Sequence, residues 1–186
     1  MRVNLIDLWK IDKSWTLLLD RDGVINVLKN NDYIKSLDEF EFIENAVETI
    51  VSLGNFFGRV LVVTNQQGVA KGLMSQQNLD EIHAHMTQCI EAKGGRLDKI
   101  YACTESSLIA HSCRKPSPKM AQQAKHDFPE IDFRKAIMIG DSVSDIEFGK
   151  NIGAKTIKIG SKDAHTAIEA DFKLGALAEI LKMGFI

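Results

Sequence analysis

The sequence contains little cysteine, little proline and no surplus of positive charge. Its 186 residues include three cysteines and three prolines, and 23 Lys+Arg against 25 Asp+Glu give a formal net charge of −2. Three cysteines are too few for a disulfide scaffold, which favours a reducing, cytoplasmic environment. The near-neutral charge gives no electrostatic reason to expect a nucleic acid or an anionic membrane as the main partner.

Long apolar runs are also missing. No stretch reaches the ~18–20 apolar residues of a transmembrane helix. Charged residues in the opening segment 1–14, to which we assign no role, interrupt the apolar run that a signal peptide requires. Because no linker or repeat divides the chain, we expect a single domain over residues 1–186. We also expect the protein to be a monomer.

Short runs of branched aliphatic residues alternate with helical patterns. Strands are predicted at residues 15–19, 59–63, 135–139 and 155–159, with a weaker one at 99–103. Helices are predicted around 46–53, from Ser75 to Gly94, from Ser117, from Ser144 to Gly153 and over 176–183. This alternation predicts an α/β fold in which a Rossmann-like parallel sheet carries helices on both faces. Ligands of such sheets bind at the carboxyl ends of the strands.

Carboxylates follow two of these strands. Asp20 and Asp22 come directly after residues 15–19, and Asp141 comes after residues 135–139. Oxygen ligands of this kind suit Mg²⁺, which commonly bridges to phosphate. A solvated turn at Asp20 and Asp22, and helix capping after Asp141, are the alternatives when each motif is taken alone.

Neutral donors and two cations complete the set of strand-end motifs. Thr64, Asn65 and Gln66 follow the strand at 59–63 and can hold phosphate oxygens without adding charge. Arg114 and Lys115 precede a predicted helix, where positive charge opposes the helix dipole unless an anion binds between them. A polar turn and an exposed basic pair are the respective alternatives.

The order of these motifs carries more information than any one of them. DRDGV at 20–24, Thr64, RKP at 114–116 and GD at 140–141 resemble the four motifs of the HAD (haloacid dehalogenase-like) phosphohydrolases. DRDGVIN, DEFEFIENAVETI, TNQQGVAKG and CRKPSPKM also resemble the D-glycero-D-manno-heptose-1,7-bisphosphate phosphatase family. That family shares its motifs with the histidinol-phosphate phosphatases, which are the alternative.

The resemblance implies an Mg²⁺-dependent phosphatase of a phosphorylated sugar, with an aspartyl-phosphate intermediate. Asp20 would be the nucleophile and Asp22 the general acid and base. The metal would be bound by Asp20, Asp141 and the main-chain carbonyl of Asp22. The phosphate would be bound by Thr64, Asn65, Gln66 and Lys115, and Arg114 would contact the substrate. A phospho-ligand sensor is disfavoured because every acid that the mechanism needs is present. A phosphatase of nucleic acid ends is disfavoured because the chain has no basic stripe.

Two loops are expected to decide specificity, because the gaps between motifs are too short for a cap domain. Only 41 residues separate Asp22 from Thr64, whereas a separate domain needs roughly 50 beyond the core elements. Asn31, Asp32 and Tyr33 in loop 26–36 are the substrate candidates, with an exposed turn as the alternative.

In loop 103–113, the family resemblance implies a structural zinc. Cys103, His111 and Cys113 retain ligand chemistry, and Glu105 offers a weaker fourth donor. We do not favour zinc, because structural sites normally have four Cys or His ligands.

Overall fold

Six strands form one parallel sheet. A computed structural model of the chain describes residues 3–30, 32–160 and 168–185. The strands are β1 (Thr16–Leu19), β2 (Arg59–Asn65), β3 (Lys99–Cys103), β4 (Ala136–Gly140), β5 (Lys155–Ile159) and β6 (Phe172–Leu174). Their order across the sheet is β3-β2-β1-β4-β5-β6, and every neighbouring pair is parallel.

The order places β1 in the interior of the sheet, between β2 and β4. The chain first builds outward through β2 and β3, then returns to the other side of β1 to form β4, β5 and β6. Leu19 is in register with both Val62 and Ile139, and the Asp20 N–H donates to the Ile139 carbonyl at 2.9 Å. The direction of winding therefore reverses beside Asp20, and such reversal points are where sheets of this kind bind ligands.

Helices connect the strands and cover both faces. They are α1 (Leu5–Trp9), α2 (Ala46–Gly54), α3 (Gln76–Ala92), α4 (Lys119–Asp127) and α5 (Val143–Asn151). Short 3₁₀ segments lie at Leu37–Glu39, Phe133–Lys135 and Leu177–Met183. As predicted, Ser75 caps α3, and its hydroxyl accepts from the Asn78 N–H.

The core has two layers, because strand side chains alternate between the faces. Leu17 and Leu19 belong to one apolar cluster with residues of α2 and α3. Leu18 belongs to the other, with residues of α4 and α5. Burial on both faces explains why these strands appear in the sequence as continuous apolar runs.

The α/β fold with a parallel sheet is confirmed, and all five predicted strands are present. Three details differ from the sequence analysis. The N-cap of α5 is Ser142, not Ser144, because Ser142 and Asp145 form a reciprocal capping box. Residues 177–183 form a 3₁₀ segment instead of an α-helix. Strand β6 and helix α1 were not predicted, since β6 has only three residues and α1 only five.

The connections between β1, β2 and β3 decide whether a further domain covers the carboxyl edge of the sheet. In the described part of the chain, the β1 to β2 connection contains one 3₁₀ segment and α2, and the β2 to β3 connection contains α3 alone. In the residues of these two connections that the structure describes, no additional domain is present. In the described ranges, no helix has the length and apolar character needed to cross a membrane.

Candidate active site

A cavity of about 220 Å³ lies at the carboxyl edge of β1, β2 and β4. Seven of the eight predicted site residues line it, namely Asp20, Asp22, Thr64, Asn65, Arg114, Lys115 and Asp141. A larger depression of about 650 Å³ between β3 and α4 contains none of them. The smaller cavity is therefore the candidate active site.

Lys115 lies at the centre of the charge network beneath this cavity. Its Nζ is 2.8 Å from Asp20 Oδ1 and 2.6 Å from Asp145 Oδ1, and it donates to the Val63 carbonyl at 2.7 Å. Burial acts to lower the pKa of the ammonium, but the charges of Asp145 and Asp20 outweigh it and the pKa is raised. Lys115 is thus a permanent cation that joins the ends of β1, β2 and α5.

The acids nevertheless exceed what Lys115 can neutralise. Burial, and then the charge of Asp145, raises the pKa of Asp20 to about 7, with Lys115 acting in the opposite direction. Burial and Asp145 likewise raise the pKa of Asp141 to about 6. Oxygens of Asp20, Asp141 and Asp145 lie within 4.8 Å of one another. An all-oxygen set with excess negative charge fits a hard divalent cation such as Mg²⁺.

Gly23 makes room for this cluster. It has a φ of +82°, and a Cβ built there would overlap Asp141 Oδ2. Any side chain at this position would therefore displace the Asp141 carboxylate, and the left-handed backbone favours glycine as well. The glycine that lets the chain turn after Asp22 also lets Asp141 approach the loop.

Asp22 is held from three directions. Its Oδ1 accepts from Arg21 Nη2 and Asn26 Nδ2, each at 2.9 Å, and its Oδ2 accepts from Gln66 Nε2 at 2.7 Å and Arg21 Nη2 at 3.0 Å. Its side chain is 22% exposed toward solvent. A carboxylate that is fixed on one side and open on the other is suited to exchanging a proton with a molecule bound in the cavity.

Gln66 is the one predicted residue that does not line the cavity. It is fully buried, and its Nε2 donates to Asp22 and, at 2.9 Å, to Thr64 Oγ1. In this structure its amide nitrogen therefore contacts two predicted site residues. Its predicted contact with phosphate stays a prediction.

Asn65, the last residue of β2, and Arg114, the neighbour of Lys115 in the chain, lie beside Lys115. The Asn65 Oδ1 accepts from the Lys115 N–H at 2.9 Å, so the amide holds the lysine segment against β2. Arg114 is partly exposed on the cavity lining. Loop 26–36 forms the opposite wall through Leu28, Lys29, Asp32, Tyr33 and Ile34. Of the three substrate candidates, Asp32 and Tyr33 line the cavity, whereas Asn31 lies outside the described residues.

In loop 103–113 the two cysteines that were weighed as zinc ligands lie next to each other. Cys103 and Cys113 form a disulfide with an S–S distance of 2.03 Å. Glu105 belongs to the same cluster and accepts from the Cys113 N–H at 2.7 Å, while His111 is exposed. While the disulfide is formed neither sulfur is a thiolate, so Glu105 is the metal donor that remains in this cluster of described residues. The prediction about zinc stays untested.

The sequence analysis missed three residues that contact the predicted site and a fourth that contacts one of those three. Asp145 fits the helix capping expected after Asp141, yet one of its oxygens pairs with Lys115. Arg21 and Asn26 hold Asp22, and His83, to which no role was given, contacts Arg21 at 3.3 Å. The position of Arg21 between two acids was an available signal. Those of Asn26 and His83 depend on how the chain folds.

Comparisons with known proteins show which family and which enzymes the chain is similar to. The HAD-hydrolase-like family matches residues 112–179. The D-glycero-alpha-D-manno-heptose-1,7-bisphosphate 7-phosphatase of Mycobacterium bovis is 32% identical over 164 residues, covering 86% of each chain. The D-glycero-beta-D-manno-heptose-1,7-bisphosphate 7-phosphatase of Pseudomonas aeruginosa is 34% identical, covering 77% of this chain and 79% of the relative.

A solved structure is similar over nearly the whole fold. The D,D-heptose 1,7-bisphosphate phosphatase of B. bronchiseptica, crystallised with magnesium and phosphate, superposes with a TM-score of 0.81 at 26% identity. The match covers 90% of this chain and 96% of that one.

Proposed function

The chain belongs to the D-glycero-D-manno-heptose-1,7-bisphosphate 7-phosphatase family of HAD-like hydrolases, and from this we propose that it removes the 7-phosphate of a heptose 1,7-bisphosphate. The observation that carries the proposal is the convergence of Asp20, Asp22, Lys115 and Asp141 on one cavity. The relatives include enzymes named for the alpha and for the beta anomer, so the proposal covers the heptose and leaves the anomer open.

Asp20 is the proposed nucleophile. Its carboxylate oxygen forms a bond to phosphorus as the bond from phosphorus to the sugar oxygen breaks, which gives an aspartyl-phosphate. Lys115, 2.8 Å from Asp20 Oδ1, keeps the nucleophile in place and offsets the incoming charge. Thr64 and Asn65, at the end of β2, face the same cavity and are the proposed donors to the phosphoryl oxygens.

Asp22 is the proposed general acid and base. It gives a proton to the departing sugar oxygen, and the resulting carboxylate then takes a proton from the water that hydrolyses the aspartyl-phosphate. Free phosphate leaves, and both carboxyl groups return to their starting states. The three donors around Asp22 fix its oxygens during this exchange.

Magnesium is the proposed cofactor, held by the Asp20 and Asp141 carboxylates and the Asp22 main-chain carbonyl. When bound, Mg²⁺ shields the carboxylate nucleophile from the negative phosphate. Arg114 is the proposed contact to the phosphate that stays on the sugar, because its planar guanidinium matches phosphate oxygens and lines the cavity beside Lys115.

The decisive experiment measures kcat/KM for heptose 1,7-bisphosphate and histidinol phosphate with the parent, Asp20→Asn and Asp38→Asn. The last is a matched control at an exposed acid. We expect the bisphosphate to be preferred and to lose one phosphate only. We also expect turnover to vanish in Asp20→Asn alone. A higher kcat/KM for histidinol phosphate would assign the chain to that alternative, and turnover of folded Asp20→Asn within tenfold of the parent would exclude Asp20 as the nucleophile.

We also propose that residues 1–186 act as one domain, as a monomer and in the cytoplasm. One continuous sheet and its two core layers support the single domain. Light scattering at micromolar concentration tests the monomer. The Cys103–Cys113 disulfide counts against a reducing compartment, and cell fractionation tests the location.

A further inference from the structure

A buried polar chain runs from helix α3 to the cavity. Arg21 is fully buried in the turn between Asp20 and Asp22. Its Nη1 lies 3.3 Å from His83 Nε2 on α3, and its Nη2 lies 2.9 and 3.0 Å from the two oxygens of Asp22. The guanidinium therefore links an imidazole outside the cavity to a carboxylate on its wall.

Arg21 can set the direction of the Asp22 carboxylate. Its Nε also donates to Asp22 Oδ1, at 3.3 Å. Two nitrogens of one planar group therefore contact the carboxylate, which restricts its rotation more than a single donor does. Asn26 and Gln66 add one donor to each oxygen, so the fixed side of Asp22 is fully engaged. The angle of the exposed side then depends on where Arg21 itself is held.

His83 supplies the contact on the far side of Arg21. Burial, and then the charge of Arg21, lowers the pKa of His83 to about 4. The imidazole is consequently neutral at neutral pH and can accept a hydrogen bond from the guanidinium. Helix α3 is fixed against the core by Leu79, Ile82 and Met86, so it offers a rigid base for that acceptor.

We propose that His83 and Arg21 are positioning residues for Asp22, with the imidazole holding the guanidinium and the guanidinium aiming the carboxylate at the departing sugar oxygen. The inference rests on the proposed function, since it requires Asp22 to be the general acid. Neither residue touches the substrate. Their effect is on proton transfer, where a misplacement of about 1 Å can cost about 100-fold.

The test compares two classes of substrate. A sugar phosphate has a poor leaving group and needs the proton of Asp22, whereas p-nitrophenyl phosphate has a good one and does not. The constant kcat/KM reports only the steps up to release of the leaving group, so the later base role of Asp22 does not enter. A merely structural defect would lower kcat/KM for both substrates alike.

His83→Phe removes the acceptor and keeps a ring, and His83→Gln restores an acceptor. We expect His83→Phe to lower kcat/KM at least tenfold for heptose 1,7-bisphosphate and less than threefold for p-nitrophenyl phosphate, and His83→Gln to recover most of the loss. His85→Phe is the matched control, because His85 lies two residues along the same helix and packs against Phe40. His85→Phe should leave kcat/KM unchanged for both substrates.

Equal losses on the two substrates, or no loss at all, would overturn the inference. If His83→Phe does not fold, Arg21→Lys serves instead: it keeps the buried charge and loses the planar two-oxygen contact, and the same selective loss is expected. Asp22→Asn distinguishes a failure of the proposed function from a failure of the positioning role of His83 and Arg21. Equal losses in Asp22→Asn would contradict the proposed function, whereas a selective loss there without one in His83→Phe would overturn only the positioning role.

Discussion

Removal of the Lys115 charge tests whether the electrostatics of the site have been assigned correctly. Lys115→Met keeps the length of the side chain and deletes the ammonium that lies 2.8 Å from Asp20 and 2.6 Å from Asp145. Both acids then remain buried without their shared partner. Breaking a buried pair in this way costs about 3–5 kcal/mol, which lowers the melting temperature by about 6–20 °C in a chain of this size.

The loss has an upper limit that depends on pH. A stranded carboxylate can take up a proton, and this costs about 1.4 kcal/mol for each pH unit above its pKa of about 3.9 in the unfolded chain. The limit for each carboxyl is therefore about 5 kcal/mol at pH 7.5 and about 2 kcal/mol at pH 5.5. Asp20 is already close to that condition, since burial raises its pKa to about 7 even with Lys115 present.

The assay is urea unfolding followed by circular dichroism, with EDTA in the buffer so that no divalent cation replaces the lost charge. The double variant Lys115→Met, Asp145→Asn should be more stable at pH 7.5 than the sum of the two single changes predicts, because it removes one stranded acid. A loss below about 1 kcal/mol at pH 7.5 would refute the reasoning, because it lies below the cost of breaking a buried pair. An equal loss at pH 5.5 would refute it as well, because the limit set by protonation is lower there.

Four further outcomes test the cavity and loop 103–113. EDTA should abolish activity and Mg²⁺ should restore it. Burial raises the pKa values of Asp20 and Asp141 to about 7 and 6. In the metal-free protein, the stability that these two protonated carboxyl groups contribute is therefore lost as the pH rises through those values. The rise in melting temperature on adding Mg²⁺ should consequently be larger at pH 8 than at pH 5.5, and the reverse order would contradict the assignment of Asp20 and Asp141 as metal ligands. Arg114→Ala should lose about 1.5–3 kcal/mol of transition-state binding for heptose 1,7-bisphosphate and less for histidinol phosphate, whereas equal losses in kcat/KM would mean that Arg114 does not contact the second phosphate. Elemental analysis of fresh protein should find little zinc, and near-stoichiometric zinc that disappears in Cys113→Ser would show that the prediction is wrong.

The strand-end residues could be predicted because two simple sequence features indicate where they lie. Buried parallel strands appear as apolar runs, and the polar residues that follow such runs meet at one edge of the sheet. Asp20, Thr64 and Asp141 were found in this way. The roles assigned to these residues came from the resemblance to a family, since an isolated D-x-D or T-N-Q fits a surface turn equally well.

What the sequence concealed are contacts between residues distant in the chain. Asp145 shows a capping pattern, and that pattern is correct for one of its oxygens. Its second oxygen meets Lys115 only because β4 lies beside β1. His83 lies on the same helix as the apolar residues that pack it, and nothing local marks its ring as the neighbour of a buried arginine 62 residues away. Neither contact has a periodicity to reveal it.

The charge balance of the cavity connects these observations to the chemistry. Asp20, Asp22, Asp141 and Asp145 supply four acids, and the two buried cations, Arg21 and Lys115, each contact acids of that set. With every acid ionised, these six groups together carry an excess of two negative charges before any phosphate enters. A phosphate dianion would be repelled from such a site, because like charges at short range in a poorly solvated cavity interact strongly. A divalent cation removes that excess, and Arg114 then remains free to contact the substrate. Burial, and then the charge of Asp145, raises the pKa values of Asp20 and Asp141, so the acids that hold the metal are also those that should take up protons in its absence.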